Sequence, residues 1–208
     1  MFKEIFSFLE TGGVLMIPII LGSIISLAIF IERLLYLRVK NIASDKIFND
    51  LLPLVKEDKI SEALTLVKHN NDEILSRILI SVFTKWDRSK DFLKELAEEK
   101  GKKEINKMER SIGVISVIAM ISPLLGLLGT VTGMISVFKE FVQNQHDPSF
   151  MSSGISQALV TTAAGLIVAI PAVLGSKYLL SKSDSLVLEL EEKLFELIES
   201  KNEYQEKK

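Results

Sequence analysis

The sequence predicts an all-α integral membrane protein with three transmembrane helices, from the placement of its charges and the length of its uncharged runs. Of 208 residues, 48% are hydrophobic and 25% charged, a mixture ordinary for a water-soluble chain. The charges are not mixed in, however. Three long stretches contain none, and nearly every Asp, Glu, Lys and Arg lies between or after them. Such segregation means membrane spans plus a sizeable water-facing part.

The first uncharged run, Thr11–Ile31, has about 20 residues, enough at ~1.5 Å each to cross a ~30 Å hydrocarbon core. Pro18 falls in its first turns, where a missing amide is tolerated. A cleaved signal peptide fits less well than a retained span: Lys3, Glu4 and Glu10 flank its start, and Glu32-Arg33 with bulky Leu34, Leu35 and Tyr36 close it. The second and third runs, Ser111–Phe138 and Ser149–Ser176, have about 28 residues each, longer than a bilayer needs. They must tilt, project beyond the membrane, or line something wet.

Basic residues near the span ends set the topology. Arg33, Arg38 and Lys40 follow span one, Lys100, Lys102, Lys103, Lys107 and Arg110 precede span two, and Lys177 and Lys182 follow span three, whereas the other side has only Lys3 and Lys139. The positive-inside rule then gives a periplasmic N-terminus over 1–13, helices over 14–36, 111–138 and 151–178, and a periplasmic loop over 139–150. Residues 37–110 and the tail 179–208 fall inside the cell.

Segment 37–110 reads as a helical hairpin. Leu51, Leu52, Leu54 and Val55 come first, then an amphipathic stretch from Ser61. Ile74, Ile78, Leu79, Val82, Phe83 and Trp86 form a second apolar stripe, and Phe92, Leu93, Leu96, Ile105 and Met108 a third that runs into span two, with Gly101 as a potential bend. In the tail, Leu186, Leu190, Leu194, Leu197 and Ile198 make an a/d-like seam needing a partner, either the 37–110 helices or neighbouring copies. Residues Asn202–Lys208 have no apolar content and are expected to fray. Helices two and three thus extend into a cytoplasmic helical bundle.

Several function classes drop out. With no cysteine there is no disulfide, thiolate metal site or cysteine nucleophile. His69 and His146 stand apart without ligands at metal spacing, so no metal or other cofactor is expected. A net charge of -2 gives no reason for a nucleic-acid partner. No carboxylate pair, nucleophile–base arrangement or phosphate-cradling loop points to an enzyme.

The chemistry concentrates in spans two and three. At helical periodicity Ser122, Gly126, Gly129, Thr130 and Gly133 share one face, and Ala158, Thr162, Gly165 and Ala169 share another, with Gly154 nearby. In hydrocarbon, helices associate through close backbone approach at small residues. Such faces can pack against each other within one protomer. Their hydroxyls, the excess length of both spans and Gln157 at membrane depth favour an oligomer in which the two spans line a central cavity.

The run Pro-Leu-Leu-Gly-Leu-Leu-Gly-Thr-Val-Thr-Gly-Met at 123–134 and the run from Gly154 to Ala172 resemble the MotA/TolQ/ExbB proton-channel family, and Ile-Glu-Arg-Leu at 31–34 is also similar. Three spans and a short N-terminus resemble its ExbB/TolQ branch. The resemblance implies a homopentamer around single-span ExbD/TolR-like helices, a proton-driven motor, and work passed to the outer membrane, with a TonB-like protein as a further partner. It also implies that Thr130 and Thr162 line the channel, with Gln157 near its mouth and Gly126, Gly129, Gly133, Ala158, Gly165 and Ala169 packing the helices around it. The family pattern usually has glutamate where this chain has Gln157. An amide keeps the hydrogen bonding but does not titrate.

Neither uncharged run, Ser111–Phe138 or Ser149–Ser176, contains Asp, Glu, Lys, Arg or His. Moving protons across a membrane calls for a titratable group near its midplane. The carboxylate, an Asp in the family, must therefore come from a partner helix, with Thr130 and Thr162 beside it. A TolQ-like envelope-maintenance motor, a sodium-driven one, and a non-conducting scaffold are the competing readings.

Overall fold

The computed structural model describes residues 13–37, 45–143 and 148–201. Among the sequence expectations, those on Lys3, Arg38, Lys40, His146 and the tail Asn202–Lys208 fall outside them. Every regular element among the described residues is helical: α1 Met16–Tyr36, α2 Asp45–Lys56, α3 Ile60–His69, α4 Ile74–Thr84, α5 Lys90–Gln143 and α6 Pro148–Glu199. Three of them, α1, α5 and α6, are long and apolar enough to cross a membrane.

Two compact units divide the chain. One comprises the described residues up to Ile31 with Ile112–Tyr178, and the other Glu32–Ser111 with the described residues from Leu179 onward.

The first unit is apolar outside as well as inside. Its small core gathers Met16, Ile19 and Ala164, with Ile20, Leu125 and Val168 packed against them. Around it Ile17, Leu21 and Ile24 of α1, Met120, Leu124 and Leu127 of α5, and Ile167, Ile170 and Leu174 of α6 are exposed. An apolar exterior of this kind suits hydrocarbon. Pro123 and Pro171 lie inside unbroken helices, and hydroxyls bond to carbonyls around them, Ser122 Oγ donating to Ile118 at 2.7 Å and Ser176 Oγ to Val173 at 3.0 Å.

The second unit has a conventional core. Ile74, Ile78, Leu79, Val82, Phe83 and Trp86 are all buried, with the Phe83 and Trp86 rings edge-on at 5.3 Å. The seam Leu186, Leu190, Leu194, Leu197 and Ile198 is buried too. Its neighbours lie in the chain's own second unit: Leu190 and Leu194 share a small cleft with Ala97, Gly101 and Ile105. Polar ties flank the seam. Lys94 pairs with Glu199 at 2.9 Å, Lys193 with Asp45 and Glu189 at 2.7 Å each, and Lys201 donates to the Arg88 carbonyl.

Two local features differ from the sequence expectation. Gly101 does not interrupt its helix, for α5 runs through it. One glycine lowers helix propensity by only about 1 kcal/mol, which tertiary packing overrides. Phe92 is 37% exposed rather than part of the stripe, its ring 5.5 Å from Lys85 Nζ. Between α2 and α3, Asp58 adopts a positive φ of 59°. Lys59 N–H bonds to Leu54 O at 2.8 Å and Asp58 N–H to Val55 O at 3.1 Å, the paired bonds by which a left-handed residue ends a helix.

Candidate functional site

Helices α5 and α6 approach each other inside the first unit at the small residues. A methyl group on Gly165 would lie 2.5 Å from the Ser122 carbonyl oxygen and 3.2 Å from Gly126 Cα. One on Gly126 would meet Thr162 Cα at 3.0 Å, and one on Gly133 would meet Ala158 Cβ at 2.9 Å. On Gly129 it would collide with Thr161 Cγ2, and on Gly154 with Val137 Cγ2. Ala158 and Ala169 are buried at 1% and 4% exposure. Five of the six small residues named from the sequence therefore sit at contacts between α5 and α6 of one protomer. Backbone touches backbone there, which no larger side chain permits.

That closeness brings the two threonines together. Thr130 Oγ1 and Thr162 Oγ1 are hydrogen-bonded to each other. Both are also within reach of one acceptor, the Gly126 carbonyl, at 3.2 Å from Thr130 and 3.0 Å from Thr162. Both residues are half-buried, so the pair lies at the edge of the helix contact rather than sealed within it. Gln157 stands apart from this pair. It is exposed, and its Nε2 would lie 2.7 Å from a methyl on Gly13, a residue at φ +72° just before α1.

Thr161 escaped the sequence reading. It is only 1% exposed, its hydroxyl donates to the Gln157 carbonyl at 3.0 Å, and its methyl fills the space over Gly129. Adjacent threonines point about 100° apart on a helix, so one meets Gly126 and the other Gly129. The only signal for this in the sequence is the spacing of the two glycines on α5.

Among the described residues, no group of three or more His, Asp or Glu side chains converges as metal ligands. The threonine pair has hydroxyls and a carbonyl to offer and no charge. It can solvate an ion, a water or a carboxyl group brought to it, but has no titratable group of its own.

Comparison with known proteins bears on this arrangement directly. The model of the MotA/TolQ/ExbB proton channel family matches residues 68–192, a range containing both small-residue faces. The ExbB-like 1 biopolymer transport protein of Synechocystis sp. is 33% identical over 174 residues, 82% of this chain and 68% of that protein. Biopolymer transport protein exbB1 of Vibrio cholerae is 42% identical over 83 residues, 39% of this chain and 36% of that one. The Tol-Pal system protein TolQ of Pseudomonas aeruginosa is 34% identical over 86 residues, 41% of this chain and 37% of that one. The chain belongs to the MotA/TolQ/ExbB proton channel family, in its ExbB/TolQ branch.

Proposed function

We propose that this protein is the channel subunit of an inner-membrane motor that couples the proton motive force to work at the outer membrane, in the manner of ExbB-type energisation of TonB-dependent import. One observation carries the reading: a hydroxyl pair at a glycine-only helix contact, within two runs, 111–138 and 149–176, that have no ionisable side chain. A proton path built here needs an acid from elsewhere. Five copies enclose a single-span ExbD/TolR-like helix whose Asp supplies it, and Thr130 and Thr162 hold that carboxyl or the waters beside it. Gln157 lies toward the channel mouth. The N-terminus and the 139–150 loop are periplasmic, and 37–110 and 179–208 cytoplasmic.

Replacing both Thr130 and Thr162 by valine keeps shape and removes both hydroxyls. The double variant assembles with its partner but loses proton flux into energised vesicles by at least tenfold. Unchanged flux would refute the channel assignment and leave a scaffold. Because the chain has no cysteine, single cysteines at Gln145 and Lys182 report sidedness without background. A membrane-impermeant thiol reagent should label the first from the periplasm and the second only after lysis.

The TolQ relative sustains a second reading, an envelope-maintenance motor. Genes for a small single-span protein beside this one, with or without an outer-membrane receptor, discriminate the two.

A further inference from the structure

The last turn of α1 borders a polar cleft of about 430 Å³, lined by Glu32, Arg33, Tyr36, Arg77, Glu104 and Lys107, all in the second unit. Three cations face two carboxylates, so the cleft is net positive by one charge. Glu104, its side chain 14% exposed, is shared between Arg77 at 2.9 Å and Lys107 at 2.7 Å. Glu32 is 3.6 Å from Arg33. Arg33 Nη2 also donates to Ser111 Oγ at 2.8 Å, and its guanidinium lies 5.2 Å from the centre of the Tyr36 ring.

These bonds do not exhaust the donors. The Nε–H of Arg33 and that of Arg77 have no acceptor among the described residues although both atoms are withdrawn from solvent, and a buried donor without a partner is costly. Arg77 Nη1 also donates to the Asp72 carbonyl at 3.2 Å, so it is the two Nε–H groups that go unmet, in a lining with one more cation than anion. Its position is informative as well. Arg33 and Tyr36 close the first membrane-crossing helix, where basic and aromatic side chains meet lipid headgroups. Leu35, in the same turn, is 52% exposed.

We propose that this cleft binds the phosphate of an anionic phospholipid headgroup. A phosphodiester carries one negative charge, matching the surplus, whereas a free phosphate monoester or inorganic phosphate approaches two. Its oxygens accept from Arg77, Lys107 and Arg33, after the guanidinium side chains shift to present the unmet donors. Leu35 supplies an apolar neighbour for the acyl chains, of no use to a free anion. Basic pockets between helices at this depth recognise anionic lipid by this charge pairing. The site joins the end of α1 to α4 and α5 through one lipid.

The test uses the full chain in neutral detergent, stripped of lipid and titrated with phosphatidylglycerol, phosphatidylcholine or inorganic phosphate, and read by native mass spectrometry and by melting temperature. Phosphatidylglycerol should bind and stabilise, phosphatidylcholine should bind at least tenfold more weakly, and inorganic phosphate should not protect. Lys107→Gln, at a side chain 62% exposed and outside the apolar core, should weaken phosphatidylglycerol about fivefold, the order expected for one interfacial cation. Arg77→Gln with Lys107→Gln should weaken it further. Equal affinity for both lipids, no effect of Lys107→Gln, or protection by inorganic phosphate equal to that by phosphatidylglycerol would each overturn the assignment. None of these readouts depends on ion flow, so they stand or fall apart from the channel proposal.

Discussion

Gly165→Ala tests the helix contact on which the candidate site depends. The added methyl would stand 2.5 Å from the Ser122 carbonyl oxygen and 3.3 Å from Gly126 N. Both are backbone atoms, so no side chain can swing away. Restoring the 3.4 Å of an ordinary contact requires α5 and α6 to part by about 0.9 Å. Overpacking of this sort costs about 1–3 kcal/mol, and the better helix propensity of alanine returns up to about 1 kcal/mol. With only backbone to yield, the cost lies in the upper part of that range, about 2–3 kcal/mol, and the net loss of about 1–2 kcal/mol lowers the melting temperature by roughly 2–8 °C in a chain of this size. The control is Gly113→Ala, where a methyl meets nothing within 4 Å among the described residues and the same propensity gain goes unopposed. Thermal loss of the folded peak on size-exclusion chromatography in detergent measures both. If Gly165→Ala melts at or above Gly113→Ala, the α5–α6 approach is not as close as described, and the pairing of Thr130 with Thr162 loses its basis.

Gly101→Ala should raise stability by about 0.5–1 kcal/mol, since its methyl likewise meets nothing described within 4 Å and alanine suits a helix interior better; thermal melting of the variant checks it. Leu79→Ala should cost about 2–5 kcal/mol, because Leu79 is fully buried in the second unit, and denaturant melts monitored by Trp86 fluorescence would show it. Glu104 gives a pH signature. Partial burial pushes its carboxyl up, but the Lys107 ammonium and Arg77 guanidinium outweigh this and hold it below its ordinary value of 4.5. A depressed native pKa contributes stability above the unfolded value, lost as pH falls through the native one. The stability gap between wild type and Glu104→Gln should therefore be full at neutral pH and close below the ordinary carboxylate range.

The three membrane helices were legible because hydrocarbon excludes charge so strictly that a long run without any marks a span. The seam from Leu186 to Ile198 was equally plain as a pattern, though not its partner: nothing in a run of leucines tells an intramolecular neighbour from a second copy. The same ambiguity applied to Gly126, Gly129 and Gly165. Small residues mark a close approach without naming what approaches, and here the closest neighbour is the next helix of the same chain. Thr161 was missed because its role exists only opposite Gly129. The cleft at Arg33, Arg77 and Lys107 was invisible for a related reason, its members coming from three helices far apart in sequence.

The sharing of the Gly126 carbonyl has a consequence for any carboxyl group brought to Thr130 and Thr162. Two hydroxyls own two hydrogens between them, and both are spent, on that carbonyl or on each other. What the pair turns outward is lone pairs only. A neutral acid arriving with its hydrogen is welcomed at once. Its conjugate base finds nothing to hold until a threonine rotates and deserts the carbonyl. The geometry thus discriminates between the protonated and the ionised form of a carboxyl group, by hydrogen-bond polarity alone and with no charge in place.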